Sequence, residues 1–405
     1  MVTKIRDKID FVGFVDWTVR DFHGFDAEFG TTYNAYLIRD DKPALIDTVK
    51  APYADQLLKQ ISELIDPSEI QYVICNHAEP DHSGCLPDIM RATPRATLVC
   101  DKKCAATLSD HYDTSQWKIK KVSTGDTLSL GRRTLHFIET PMVHWPESMF
   151  TYVPEEKLLF SMDVFGQHFA SSTRFNDELD PGTVMRFARI YYANIIMPYG
   201  RQVLKTLEAI DKLEIDLIAP SHGLMWCEDI PLIIEHYRNW AVHRPEPKVL
   251  VMFDSMWGST DEMARAILQG ATIPGVTTEL IHVRKAPLSR IATDVLDAAA
   301  VAFGSSTLNG GMMPMVSAVQ TYLKGLRPAG KACFAFGSYG WSRNGPDDVH
   351  EWLSKMNWEI LRDPLVCRYR PTDDDLNKCR EAGRQLAEQA LERIALLGRS
   401  MDNKE

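Results

Sequence analysis

Residues 72–84 read Tyr72-Val73-Ile74-Cys75-Asn76-His77-Ala78-Glu79-Pro80-Asp81-His82-Ser83-Gly84. A short apolar strand therefore runs into a loop that carries two imidazoles and two carboxylates within six positions. With each residue type present at a few per cent, H-x-E-x-D-H arises by chance in a chain of this length on the order of once in a thousand. A solvated polar loop is the bland alternative, and it weakens because chemistry of the same kind recurs at later strand ends. His144 follows an expected strand at 134–140, Asp163 closes the apolar run 158–162, and His222 follows the strand at 215–219. Four histidines and three carboxylates exceed what one ion needs and suffice for two ions that share a bridging carboxylate.

Around this loop the first half of the chain mixes hairpins with helices. Runs at 33–38 and 44–47 flank the turn-forming Asp40-Asp41-Lys42-Pro43. Leu57, Leu58, Ile61, Leu64 and Ile65 share one helix face that ends before Pro67. Two prolines interrupt the pattern at His243-Arg244-Pro245-Glu246-Pro247-Lys248, which places a domain junction between 245 and 246.

Beyond the junction the pattern becomes regular strand–helix alternation, with strands expected at 249–253, 276–283, 299–304 and 331–337 and a weaker fifth around Val366. Helices are expected at 262–268, 315–325 and 373–397, with a frayed tail from Arg399. Such alternation builds a doubly wound parallel sheet that binds ligands at the carboxyl ends of its strands. Three strand-end loops there have suitable chemistry. Ser255-Met256-Trp257-Gly258-Ser259-Thr260 leads into a helix, and its hydroxyls and the helix amides can surround a phosphate without lysine or arginine. Ser305-Ser306-Thr307-Leu308-Asn309-Gly310 and Ser338-Tyr339-Gly340-Trp341 leave the next two strands, with small residues to approach a planar ring and aromatics to stack on it.

The metal loop with its downstream His, Asp and His resembles the metallo-β-lactamase superfamily. Within it the flavodiiron proteins are the match, because they place Glu where the zinc hydrolases place His, and here that position is Glu79. The resemblance implies an αββα sandwich over 1–245, with His77, Glu79 and His144 on one iron, Asp81, His82 and His222 on the other, and Asp163 between them. Residues 248–395 resemble flavodoxin, which implies FMN, its phosphate held by 255–260 and its ring flanked by 305–310 and 338–341. The domain order over 1–245 and 246–405 is that of flavodiiron proteins. The family reduces dioxygen to water or nitric oxide to nitrous oxide, and a reduced flavin with a diferrous pair stores the four electrons that one dioxygen takes. The resemblance further implies pocket histidines at His23 and His168, a phenol at Tyr192, a separate donor (a rubredoxin or a reduced deazaflavin), and a head-to-tail homodimer or a dimer of dimers.

Composition is consistent with this. The 405 residues, 45% hydrophobic and 25% charged, suit a soluble protein of two or three domains, without an apolar run of membrane length. No signal-peptide pattern opens the chain, so a cytoplasmic protein is expected. A net charge of −10 argues against nucleic acid as a partner. The eight cysteines include no C-x-x-C pair, which excludes a zinc ribbon or a rubredoxin-type site, and Cys100 and Cys104 are spaced for one helix face. His111, His136, His236, His243, His282 and His350 are expected to be structural or at the surface. Two rivals remain: a zinc hydrolase with a flavodoxin-like regulatory domain, which Glu79 opposes, and a non-catalytic sensor of diatomic gases.

Overall fold

The computed structural model describes residues 2–402, the side chain of Phe25 and those of 398–402 excepted. It divides into two compact units, Met1–Tyr192 with Tyr199–Arg238, and Ala193–Pro198 with Asn239–Glu405. The division falls before the expected 245/246 boundary, and the short stretch Ala193–Pro198 is assigned with the second unit. Asn194 explains that assignment, since its amide donates to the Ser289 carbonyl and accepts from the Tyr322 hydroxyl.

The first unit is a sandwich of two sheets. The seven-stranded sheet runs, in spatial order, Thr3–Arg6, Ile9–Phe11, Tyr36–Ile38, Ala44–Ile46, Tyr72–Ile74, Thr97–Asp101 and Lys118–Val122. The five-stranded sheet runs Thr127–Ser129, Thr134–Glu139, Met149–Val153, Leu158–Met162 and Leu217–Pro220. Their inner faces interdigitate: Ile9, Tyr36, Ile46 and Val99 from one sheet pack with Phe137, Met149, Phe160 and Ala219 from the other, all nearly inaccessible. At ~25 cal/mol per Å² of apolar surface removed from water, this packing is what holds the sheets together. The helix expected to end before Pro67 is Ala54–Ser62. Cys100 and Cys104 do not share a helix: Cys100 lies in the strand Thr97–Asp101, whose last residue Asp101 caps the following helix Lys102–His111 by accepting from the Cys104 amide at 2.5 Å.

The second unit has strand order Thr277–His282, Glu246–Asp254, Ala298–Ser305, Ala332–Tyr339, with Glu359–Ile360 and Leu365–Arg368 both pairing with the last, and every pairing parallel. This is the 2-1-3-4-5 order of flavodoxin-like sheets. Val249, Val251 and Phe253 face the helices Ser259–Ala271 and Asp373–Asp402 through Met263, Ile267 and Leu386. Leu250 and Met252, pointing the other way, are equally buried, which is why the strand reads as a continuous apolar run. Helices Leu288–Asp297, Pro314–Leu326 and Asn344–Ser354 complete the unit. The terminal helix reaches Asp402, so the tail expected to fray from Arg399 is helical to that residue, and 403–405 lie outside the described residues. No helix among the described residues is long and apolar enough to cross a membrane.

Candidate metal centre and flavin cleft

All seven expected ligands lie at strand ends on one edge of the sandwich. The strand Tyr72–Ile74 delivers His77, Glu79, Asp81 and His82, the last two on the short helix Pro80–Ser83. The other sheet delivers His144, Asp163 and His222 from the loops after Thr134–Glu139, Leu158–Met162 and Leu217–Pro220. A buried hydrogen-bonded anchor fixes the key loop, because the Asp47 carboxylate accepts from both the Asn76 amide and its side chain at 2.7 and 2.8 Å.

The side chains form two groups, His77, Glu79, His144 and Asp163, and Asp81, His82 and His222. Every imidazole turns Nε2 inward. In the first group, Glu79 Oε2 lies 3.1 Å from His77 and 3.2 Å from His144, and Asp163 Oδ2 lies 3.5 and 3.2 Å from the same two nitrogens. In the second, Asp81 lies 3.4 Å from His82 and 3.2 Å from His222, while Asp163 Oδ1 lies 3.1 and 3.6 Å from them. The two oxygens of Asp163 therefore serve different groups, as a bridging carboxylate must. Bonds of about 2.1 Å put neighbouring ligands roughly 3.0 Å apart at octahedral angles and about 3.4 Å at tetrahedral ones. The observed spacings are close to the lengths such edges would have, and the donor set fits two ions.

The electrostatics agree. Burial opposes charge on His77, but the hydrogen-bonded carboxylates of Glu147 and Glu79, with Asp163, override it and lift the ring to about 10. Burial likewise opposes charge on His144 and His82, which Asp163 with Glu79, and Asp81 with Asp163, lift to about 10 and about 9. Asp163 is itself held well below the carboxylate range against burial by His82 and His144. The pocket is an anionic cage that favours cations.

The expected pocket residues divide. His23 has a side chain 66% exposed, yet its Nε2 is 3.1 Å from Glu79 Oε1, the oxygen that faces away from the ligand group; that bond, against some burial, raises its pKa. His168 is buried, with Nδ1 2.8 Å from the Thr31 hydroxyl, and desolvation holds it well below its usual pKa and therefore neutral. Tyr192 is not at the centre. It packs on Tyr237, 5.0 Å between centroids, whereas its neighbour Tyr191 lies 4.9 Å from the His168 ring and 5.9 Å from that of His222. The cause is helical register: Pro181–Tyr191 ends where the wider turn Tyr192–Ile196 begins, and one step of about 100° changes the face presented. Glu147, absent from the expectations, holds His77 from behind with Oε1 2.9 Å from Nδ1.

In the second unit a cleft of about 470 Å³ opens at the carboxyl ends of the strands. Met256, Trp257 and Ser259, the run Ser306-Thr307-Leu308-Asn309-Gly310, and Ser338-Tyr339-Gly340-Trp341 line it, as expected, together with Ser342 and Tyr369, which were not. The rest of the expected loop residues hold the walls. The Thr260 hydroxyl is buried between those of Ser306 and Ser338, at 3.0 and 2.8 Å, and ties the three loops together instead of facing the cleft. Ser255 accepts from the Gly258 amide, and the Ser305 hydroxyl accepts from the Met313 amide while donating to the Ser306 carbonyl. Gly258 has φ +93° and caps the helix without a side chain, which leaves the first-turn amides to an anion. Trp257 and Trp341 are 89% and 90% exposed and provide flat faces at the rim. Small hydroxylated loops, an uncapped helix N-terminus and exposed indoles fit a phosphorylated planar ring.

Comparison with known proteins supports both units. Residues 31–223 match the ODP family beta lactamase model, and residues 251–383 match the flavodoxin model. The nitric oxide reductase of Moorella thermoacetica is 43% identical over 388 residues, 95% of this chain and 97% of the relative. The rubredoxin-oxygen oxidoreductase of Megalodesulfovibrio gigas is 38% identical over 390 residues, 95% and 97% of the two chains. The crystal structure of the flavodiiron protein from Giardia intestinalis superposes with a TM-score of 0.95 at 38% identity, over 98% of each chain.

Proposed function

This chain belongs to the flavodiiron proteins, and from that premise we propose that it is an oxidoreductase that reduces dioxygen to water, nitric oxide to nitrous oxide, or both, with two irons and FMN as cofactors. The observation that carries the reading is Glu79 standing between His77 and His144 where a zinc hydrolase would place an imidazole. An anionic oxygen donor hardens the site and suits an ion that must pass between two charges, which zinc cannot do. When bound, the irons and the flavin supply the electrons, four for one dioxygen with four protons, or two for a pair of nitric oxide molecules with two protons.

The chain's own residues do the rest. Asp163 spans the two groups and sets the separation of whatever they hold. Tyr191, buried with its ring 5.9 Å from that of His222, excludes bulk water from that side. His23, exposed on one side and bonded to Glu79 on the other, can carry a proton at Nε2 from solvent to the pocket. His168, kept neutral, positions itself through Thr31 as a polar wall that adds no charge.

A rubredoxin is the proposed donor, in line with the name of the Megalodesulfovibrio relative, and a reduced deazaflavin is the alternative. Action in the cytoplasm and a head-to-tail homodimer, or a dimer of dimers, belong to the same proposal. The test is anaerobic reduction of protein loaded with iron and FMN, followed by parallel measurement of dioxygen and nitric oxide consumption. Rapid consumption of either gas is expected; consumption of neither overturns the reading, and two zinc ions per chain without iron would favour the hydrolase.

A further inference from the structure

We propose that Glu147 makes the two metal positions unequal: acting through His77, it hydrogen-bonds a carboxylate to a ligand of one ion only, so that the ion at His77, Glu79 and His144 is bound more tightly and is the last to be reduced. This rests on the di-iron reading above. Since each ligand imidazole points Nε2 at the centre, what backs its Nδ1 decides how strongly it donates. Behind His77 stands Glu147, 2.9 Å away, both side chains essentially inaccessible. The same carboxylate oxygen accepts from the Ala78 amide at 3.2 Å, which fixes it in place. Among the described residues Glu147 has no lysine or arginine partner to neutralise it, and Lys103 nearby donates to the Pro146 carbonyl instead.

No carboxylate is hydrogen-bonded to an imidazole of the second group from behind: the buried Asp47, which interacts with both His82 and His77, turns its two oxygens to Asn76. The Nδ1 of His222 faces the Thr32 carbonyl at 2.5 Å and, more distantly, the Thr31 hydroxyl at 3.5 Å, both neutral. The Nδ1 of His82 is buried with no partner among the described residues. Among those residues His77 is thus the one ligand imidazole whose Nδ1 is hydrogen-bonded to a carboxylate. A charged acceptor makes a hydrogen bond roughly twice as strong as a neutral one and pushes electron density into the ring. In a dry pocket that extra density stabilises the more highly charged ion. Glu147 lies three residues beyond His144 in the same loop, so one loop supplies a ligand to this ion and sets the basicity of another. Glu147 touches neither substrate nor metal and is a positioning residue.

The test is Glu147→Gln, which keeps shape and an acceptor oxygen but removes the charge. Mössbauer spectra of the ⁵⁷Fe-loaded diferric protein should show one quadrupole doublet displaced and the other unmoved. In a redox titration the second one-electron step should move positive toward the first, and the maximum population of the one-electron-reduced form should fall. Equal displacement of both doublets, or unchanged potentials in a variant that keeps two irons and FMN, would overturn the proposal. Should the variant hold fewer than two irons, Fe²⁺ titration of the metal-depleted protein decides: the tighter class should weaken by about 10- to 100-fold, whereas weakening of the looser class alone, or of both equally, would overturn it. Wild-type protein that binds no iron would defeat the functional reading instead, so the two failures are distinguishable.

Discussion

Gly337→Ala tests how the flavin cleft is built. A Cβ at position 337 would sit 1.9 Å from the Ser305 carbonyl oxygen and 2.9 Å from Pro346 Cγ, where 3.4 Å is ordinary contact. Backbone cannot yield as a flexible side chain does, so the ends of strands Ala298–Ser305 and Ala332–Tyr339 must part by roughly 1.5 Å. That opening falls on the hydroxyl cluster that joins the three loops: Thr260 to Ser306 at 3.0 Å, Thr260 to Ser338 at 2.8 Å, and the Ser338 amide to Thr260 at 3.3 Å. At ~1 kcal/mol per hydrogen bond, two or three losses remove about 2–3 kcal/mol of preorganisation. FMN affinity should then fall roughly 30- to 150-fold. The assay is titration of flavin-depleted protein with FMN by fluorescence quenching, with iron content as the control for the first unit, which should not change. Gly310→Ala provides the contrast, since its φ of +76° makes the substitution strained but no atom lies within 4 Å; its cost stays in the turn, about 1–2 kcal/mol. An affinity for Gly337→Ala within threefold of wild type would refute the claim that strand approach sets the cleft.

Other outcomes follow from the same geometry. Glu79→His should lower iron occupancy and gas consumption while sparing the fold, and unchanged iron content and turnover would show that the acidic ligand has no such role. Asp163→Asn removes one anionic bridging oxygen, and metal analysis should find the chain retaining one iron or none; retention of both would rule out a bridge. His243 is pushed down to about 4 by burial, with Lys331 adding to it. Because its folded value is depressed below ~6.5, its share of stability is fully present above that pH and is lost as the pH falls toward 4, at most about 3 kcal/mol in all. His243→Phe should therefore lose less stability than wild type between pH 7 and 4.5 in urea unfolding of the full chain, and identical losses would exclude the buried ring as a cause.

The candidate metal-binding groups were legible because coordination demands a rare residue combination at strand ends, and the loop 77–82 carries four of the seven within six positions. The flavodoxin-like sheet was legible because strands buried on both faces have no alternation to obscure them. Glu147 was not, since a lone Glu after Trp145-Pro146 reads like any surface acid until the fold brings it behind His77. That Tyr191, and not the expected Tyr192, lies beside the His168 and His222 rings was not legible, because the widened turn Tyr192–Ile196 leaves no mark in composition. Cys100 and Cys104 misled through spacing alone, although Asp101 before two lysines is a helix-start signal that explains the strand–helix break. Likewise a sequence displays the Thr260 hydroxyl but not the two hydroxyls that occupy it.

The ligands come from both layers of the sandwich, four from the seven-stranded sheet and three from the five-stranded one, with His222 arriving from a strand far downstream of His77. No early portion of the nascent chain can present the full donor set, so metal loading would await completion of the unit, and iron acquisition would mark its maturity. Each ion held there would act as a rivet across the two layers, and its affinity would add directly to their resistance to separation. Chelators should accordingly lower the unfolding temperature of this unit before they touch the flavin, which makes metal scarcity a question of protein lifetime as well as of activity.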